Sequence, residues 1–252
     1  MSDESSPKGR RRIFLKQIAA ATGAAPIASV LGATSALAGA AIAANANAAD
    51  APAPAPAPVL GYESLSGDEA AFVEAIVNVM CPADALTPNG VDCGLATFID
   101  RQLAGDFGKG ARRYMSGPWK KGKPQLGYQL PLTPEQFFKA GIAAANAQCV
   151  KKLGKSFDQA APADAEAFLA EIAAGKVSDA RVPLAPWFNY LVYPLFTQAC
   201  FADPIYGGNA DKVFWKMIGY PGLPATHTRD MVDYRGKPYP GAKDPKSIAD
   251  FS

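Results

Sequence analysis

Histidine is almost missing from this chain: one, His227, stands among 252 residues. Zinc, haem and iron–sulfur sites would therefore rest mainly on the cysteines, and these number four: Cys81, Cys93, Cys149 and Cys200. No two are spaced as CxxC, so zinc-ribbon, haem c and most iron–sulfur patterns fail on ligand count. No GxGxxG follows a strand-like run, and neither GxxxxGK[ST] nor GxSxG occurs. The common phosphate-cradling loops and the nucleophile elbow are thereby excluded. Alternation of apolar and polar residues is also absent over any useful length, which argues against strands.

Net charge is small, at +2. The surplus is local: the first sixteen residues hold five cations and two carboxylates, and without them 20 basic side chains face 21 acidic ones. A near-neutral body gives no electrostatic reason to expect nucleic-acid binding. Catalytic candidates are equally thin. His227 lies in a polar tail and reads as a solvated side chain. Asp84, Asp92 and Asp100 sit near expected helix ends, where capping or solvated-face roles explain them.

What the N-terminus does contain is a targeting pattern. Arg11, Arg12, Phe14, Leu15 and Lys16 build an RRxFLK motif, and from Gln17 to Ala49 no residue is charged. The stretch is rich in Ala and Gly, so it is only mildly apolar. That composition suits a twin-arginine signal (1–49) better than a permanent membrane span. Cleavage sites are present at Ala36-Leu37-Ala38 and at Ala46-Asn47-Ala48. Residues 50–61 follow as a semi-rigid Ala/Pro linker.

The body, 62–224, reads as helices. Ser66 and Glu69 form a capping box before Phe72, Val73, Ile76, Val77 and Met80, and Cys81-Pro82 ends that helix. Leu95, Phe98, Ile99 and Leu103 mark a second helix, stopped by Gly105. Residues 108–131 read as a long ordered loop. Thr133 and Pro134 start a third helix, closed by Gly154. Pro162 opens a fourth, and Pro194 should kink an aromatic fifth. Asn209 is expected to cap a last helix through Val213 and Ile218. The fold class is all-α, a single domain of about five or six helices with an extended C-terminal tail, 225–252, expected to lie across a partner.

A twin-arginine signal carries folded cargo, usually because a cofactor is inserted before export. A chain without a cofactor motif of its own fits that route if it travels with a partner that holds one. A rapidly folding lone domain is the other possibility.

From about Tyr62 to Pro224 the chain resembles the gluconate 2-dehydrogenase subunit 3 family. The resemblance is carried by Phe201-x-Asp203-Pro204-x-Tyr206-Gly207-Gly208-Asn209, then Trp215-x-x-Ile218-Gly219-Tyr220-Pro221. Weaker matches are Pro82-Ala83-Asp84, Phe98-Ile99-Asp100-x-Gln102-Leu103 and Leu132-Thr133-Pro134-Glu135-Gln136. The resemblance implies a non-catalytic small subunit that escorts a signal-less, FAD-dependent large subunit of glucose–methanol–choline type. It also implies a membrane-bound multihaem cytochrome c as electron acceptor. No cofactor, catalytic residue or metal is implied for this chain itself. Localisation would be periplasmic, with membrane association indirect, through the complex. An independent secreted all-α enzyme or a periplasmic binding domain are the competing readings.

Two further expectations concern sites. Cys81 and Cys93 enclose a short loop and are candidates for a disulfide, leaving Cys149 and Cys200 to pair with each other or with a partner. The partner interface is expected at Tyr206, Gly207, Gly208, Asn209, Trp215 and Tyr220, since Tyr and Trp are favoured anchors and glycines allow close approach.

Overall fold

The computed structural model describes residues 61–251, apart from 121, 124, 125 and 224–226. The twin-arginine motif and residues 50–60 of the Ala/Pro linker lie outside the described residues. Among those residues the regular elements are helices and no strand is formed.

Helix α1 spans Gly67–Met80. Its start follows the expected box: the Ser66 N–H donates to the Glu69 carboxylate at 2.9 Å. Helix α2 spans Leu95–Ala104 and α3 is the single turn Asp106–Lys109. Helix α4 runs Pro134–Leu153, with Thr133 Oγ1 accepting from the Gln136 N–H at 3.3 Å and left-handed Gly154 closing it. Helix α5 is Pro162–Ala173. A short α6, Leu184–Trp187, passes through a π-helical stretch, Phe188–Val192, into α7, Tyr193–Phe201. The expected kink at Pro194 is thus a widened turn. Proline has no N–H for the α ladder, and the π register absorbs that loss.

The core is aromatic. Trp187 is fully buried and its Nε1 donates to the Phe138 carbonyl at 3.1 Å. Gly141 makes room for it: a Cβ there would stand 2.0 Å from the indole nitrogen. Phe72 lies 4.8 Å from Phe157 and 6.4 Å from Trp187, ring centre to ring centre. Each such side chain contributes on the order of 1.5–3 kcal/mol by leaving water.

The C-terminal region departs from the expected extended tail. Helix α8 is Val213–Ile218 and α9 is Thr228–Asp233, followed by 3-10 turns at Pro240–Lys243 and Ile248–Phe251. The chain then returns to the body. Leu223 N–H donates to the Lys246 carbonyl at 2.8 Å, and Lys246 N–H to the Pro221 carbonyl at 3.1 Å. Prolines that forbid long helices still permit these turns, and the tail's unused backbone groups find partners on the body.

Candidate partner-binding face

The motif residues serve first as scaffold. Asp100, expected at a solvated helix end, is instead buried within α2. Its carboxylate accepts from the N–H groups of Glu63, Ser64 and Leu65 at 2.7, 2.9 and 2.8 Å. Three backbone donors on one carboxylate fix the segment leading into α1. Asp84 accepts from the Leu86 and Thr87 N–H groups at 2.8 and 2.9 Å, an Asx-type turn.

Asp203 is bonded on both oxygens. Oδ1 accepts from Ile205 N–H at 3.1 Å, and Oδ2 accepts from Ile248 N–H at 2.9 Å, reaching the returned tail. The tail is latched again where Lys212 Nζ meets the Asp250 carboxylate at 2.5 Å. That contact, with the Ser247 backbone and hydroxyl, holds the Asp250 carboxyl well below its ordinary range.

Asn209 is fully buried with φ at 50°. Its Oδ1 accepts from Phe214 N–H at 3.0 Å and its Nδ2 donates to the Ala202 carbonyl at 3.2 Å. It therefore supplies a bond to the start of α8 from a distance, while Lys212 occupies the position just before the helix. Gly207 sits at φ 100°. A Cβ on Gly208 would lie 2.4 Å from the Ala199 carbonyl oxygen, and one on Gly94 would lie 2.2 Å from the Gly207 carbonyl oxygen. The close approach these glycines allow is to α7 and the start of α2 in the same chain. Trp215 is buried, donates from Nε1 to the Phe201 carbonyl at 2.8 Å, and meets Tyr220 edge-on at 5.1 Å.

The scaffold leaves a different set outside. Phe201 is 43 % exposed, Ile205 47 %, Tyr206 51 %, Met217 42 % and Ile218 57 %. Three concavities of 470, 350 and 190 Å³ all share Phe201 in their walls. The first is lined also by Phe98, Gln102, Gln198 and Tyr206; the second by Asp203, Trp215, Ile218 and Tyr220; the third by Met80, Cys81, Cys200 and Met217. These side chains form one cluster of exposed apolar surface around Phe201. Of the expected interface residues, Tyr206 and Tyr220 lie on it, whereas Asn209 and Trp215 hold it up from below. Phe201, Met217 and Ile218 complete it; Phe201 and Ile218 are motif positions, whereas Met217 falls at a variable position between Trp215 and Ile218.

All four cysteines are buried. The thiols of Cys81 and Cys93 both approach the Pro88 carbonyl oxygen, at 3.7 and 3.6 Å. Burial, then the charge of Asp158, pushes the Cys149 thiol up. His227 is not simply solvated: its Nδ1 lies 2.9 Å from the Asp230 carboxylate, its ring meets Tyr239 edge-on, and Tyr239 Oη donates to the same carboxylate at 3.1 Å. The His227 bond, then burial opposing it and the Tyr239 bond, leave the Asp230 carboxyl lowered. Among the described residues no cluster of three or more His, Cys, Asp or Glu could hold a metal ion, and no helix is long and apolar enough to cross a membrane.

Motif residues bonded inward beneath an exposed apolar cluster define the class as an all-α single domain. The sequence model described as gluconate 2-dehydrogenase subunit 3 matches residues 67–222. The chain belongs to that family, and is accordingly an accessory subunit of a dehydrogenase complex. No curated protein and no solved structure matches it.

Proposed function

We propose that this chain is the non-catalytic small subunit of a periplasmic, FAD-dependent dehydrogenase acting on sugar acids or polyols. It escorts a signal-less flavoprotein of glucose–methanol–choline type through the twin-arginine route and stabilises it afterwards. FAD belongs to that large subunit, and haem c to a membrane-bound multihaem cytochrome that accepts the electrons. The complex is held at the membrane through the cytochrome. The observation that supports this reading best is the Phe201-centred face, built on the segment that the family match covers. A chain that exposes such a face and also carries Arg11-Arg12 in an RRxFLK motif has what an escort requires: a surface for the cargo and a signal for the route.

Recognition of the signal depends on paired guanidinium groups, whose planar fork a lysine ammonium does not reproduce. Replacing Arg11→Lys and Arg12→Lys together is expected to leave both this chain and the flavoprotein in the cytoplasm. Immunoblots of periplasmic and cytoplasmic fractions, with flavin-linked activity in each, measure it. Normal periplasmic flavoprotein in the double variant would refute the escort role.

A further inference from the structure

The connection between α3 and α4 differs chemically from the rest of the body. That connection, 110–133, includes five Lys and Arg and no Asp or Glu, and Phe107 and Lys109 at the end of α3 adjoin it. Residues 62–252 as a whole carry twenty side chains of each sign, so the remainder of the body is acidic. One connection thus holds a concentrated positive field on an otherwise negative particle.

Two cations here are braced. Lys109 pairs with Glu135 at 2.6 Å. Arg113 donates to the Tyr128 carbonyl at 3.2 Å and lies 4.0 Å over the Tyr128 ring, which is itself buried against Phe137. Arg112, Lys120 and Lys123 are exposed. So are large apolar side chains among them: Tyr114 at 80 %, Leu126 at 66 % and Phe107 at 46 %. Phe107, Arg112 and Arg113 border a 460 Å³ cleft whose one carboxylate is Asp106.

We propose that this strap docks on an anionic phospholipid surface. Lys and Arg near such a surface are drawn to its headgroups, while Tyr, Trp and Leu beside them settle at the boundary of headgroup and acyl chain. The strap supplies both classes side by side, with Tyr114 next to Arg112 and Arg113, and Trp119 next to Lys120. A bilayer also demands no shaped complement, which suits irregular backbone that exposes its apolar side chains singly. This contact would be direct, in addition to any attachment through a partner subunit.

Among the described residues, every core residue lies between Leu65 and Trp215. A chain beginning at residue 50 therefore keeps its core and sheds the basic N-terminal segment, which would bind vesicles on its own. That chain should co-sediment with phosphatidylcholine vesicles containing about a third phosphatidylglycerol, and not with phosphatidylcholine alone; added salt should release it. Arg112→Glu with Lys120→Glu and Lys123→Glu should weaken this binding by at least about tenfold. All three positions are exposed, so circular dichroism should stay unchanged. Equal binding to both vesicle types, no binding to the anionic ones, or full binding by the triple variant would overturn the proposal. So would a triple variant that keeps vesicle binding but loses the flavoprotein in co-purification, since the strap would then belong to an acidic protein partner.

Discussion

Cys81 and Cys93 flank the loop that joins α1 to α2, and both thiols converge on the Pro88 carbonyl. In an oxidising compartment, exchange with an external disulfide would take one hydrogen from each thiol, leave a Cys81–Cys93 bond and release two reduced thiols. Closing a loop of about a dozen residues should contribute roughly 2–4 kcal/mol. Intact-mass spectrometry of the exported protein is expected to show a gain of two hydrogens on reduction, absent from Cys93→Ser. No gain in the native protein, or an unchanged gain in Cys93→Ser, would rule the bond out. At this scale the sequence was informative about residue type and weak about partner. Asp100 could be placed near a helix, but its three acceptor bonds reach back to residues 63–65, which no local pattern announces. Asn209 read as an ordinary cap. Its left-handed backbone and its second bond to Ala202 depend on how the Gly-Gly turn packs under α7.

Helix starts and stops were the most legible features, because their causes are local. Thr133 with Pro134, Ser66 with Glu69, and Gly154 act within one turn of themselves. The tail was misread because its order comes from distant bonds. Asp203 to Ile248, Leu223 to Lys246 and Lys212 to Asp250 span 45, 23 and 38 positions. These bonds also set a pH dependence. Asp250 is held low by Lys212, so the carboxyl binds protons more weakly in the docked tail than in a released one. A depressed carboxyl stabilises the docked state above its ordinary range, and that contribution fades as pH falls through the lower folded value. Hydrogen exchange at the Ile248 amide should therefore be protected at neutral pH and lose protection on acidification, ahead of the α4 core. Lys212→Ala should remove much of this pH dependence. Protection at Ile248 that falls only together with α4 would mean the tail has no separate latch.

At the scale of the whole molecule, the arrangement divides one motif between buried support and exposed surface. Trp215 and Asn209 are inside, fastened to Phe201 and Ala202 carbonyls, while Tyr206 and Ile218 stand half in water above them. Aromatic richness alone did not separate these roles, since the sequence placed Trp215 and Tyr206 in one group; burial does. The distinction gives opposite expectations for neighbouring substitutions. Trp215→Ala removes a buried indole and leaves the Phe201 carbonyl without its donor, and should lower stability by about 3–5 kcal/mol. Tyr206→Ala and Ile218→Asp alter side chains that contribute little to the core, and should shift the melting temperature only slightly. They should nevertheless weaken association with the flavoprotein subunit by tenfold or more, because truncating or charging a central apolar anchor leaves desolvated partner groups unmatched. Thermal melts of each variant, paired with titration against the purified flavoprotein, separate the two effects. If Tyr206→Ala and Ile218→Asp both bind the flavoprotein as the native chain does, the partner sits on another face.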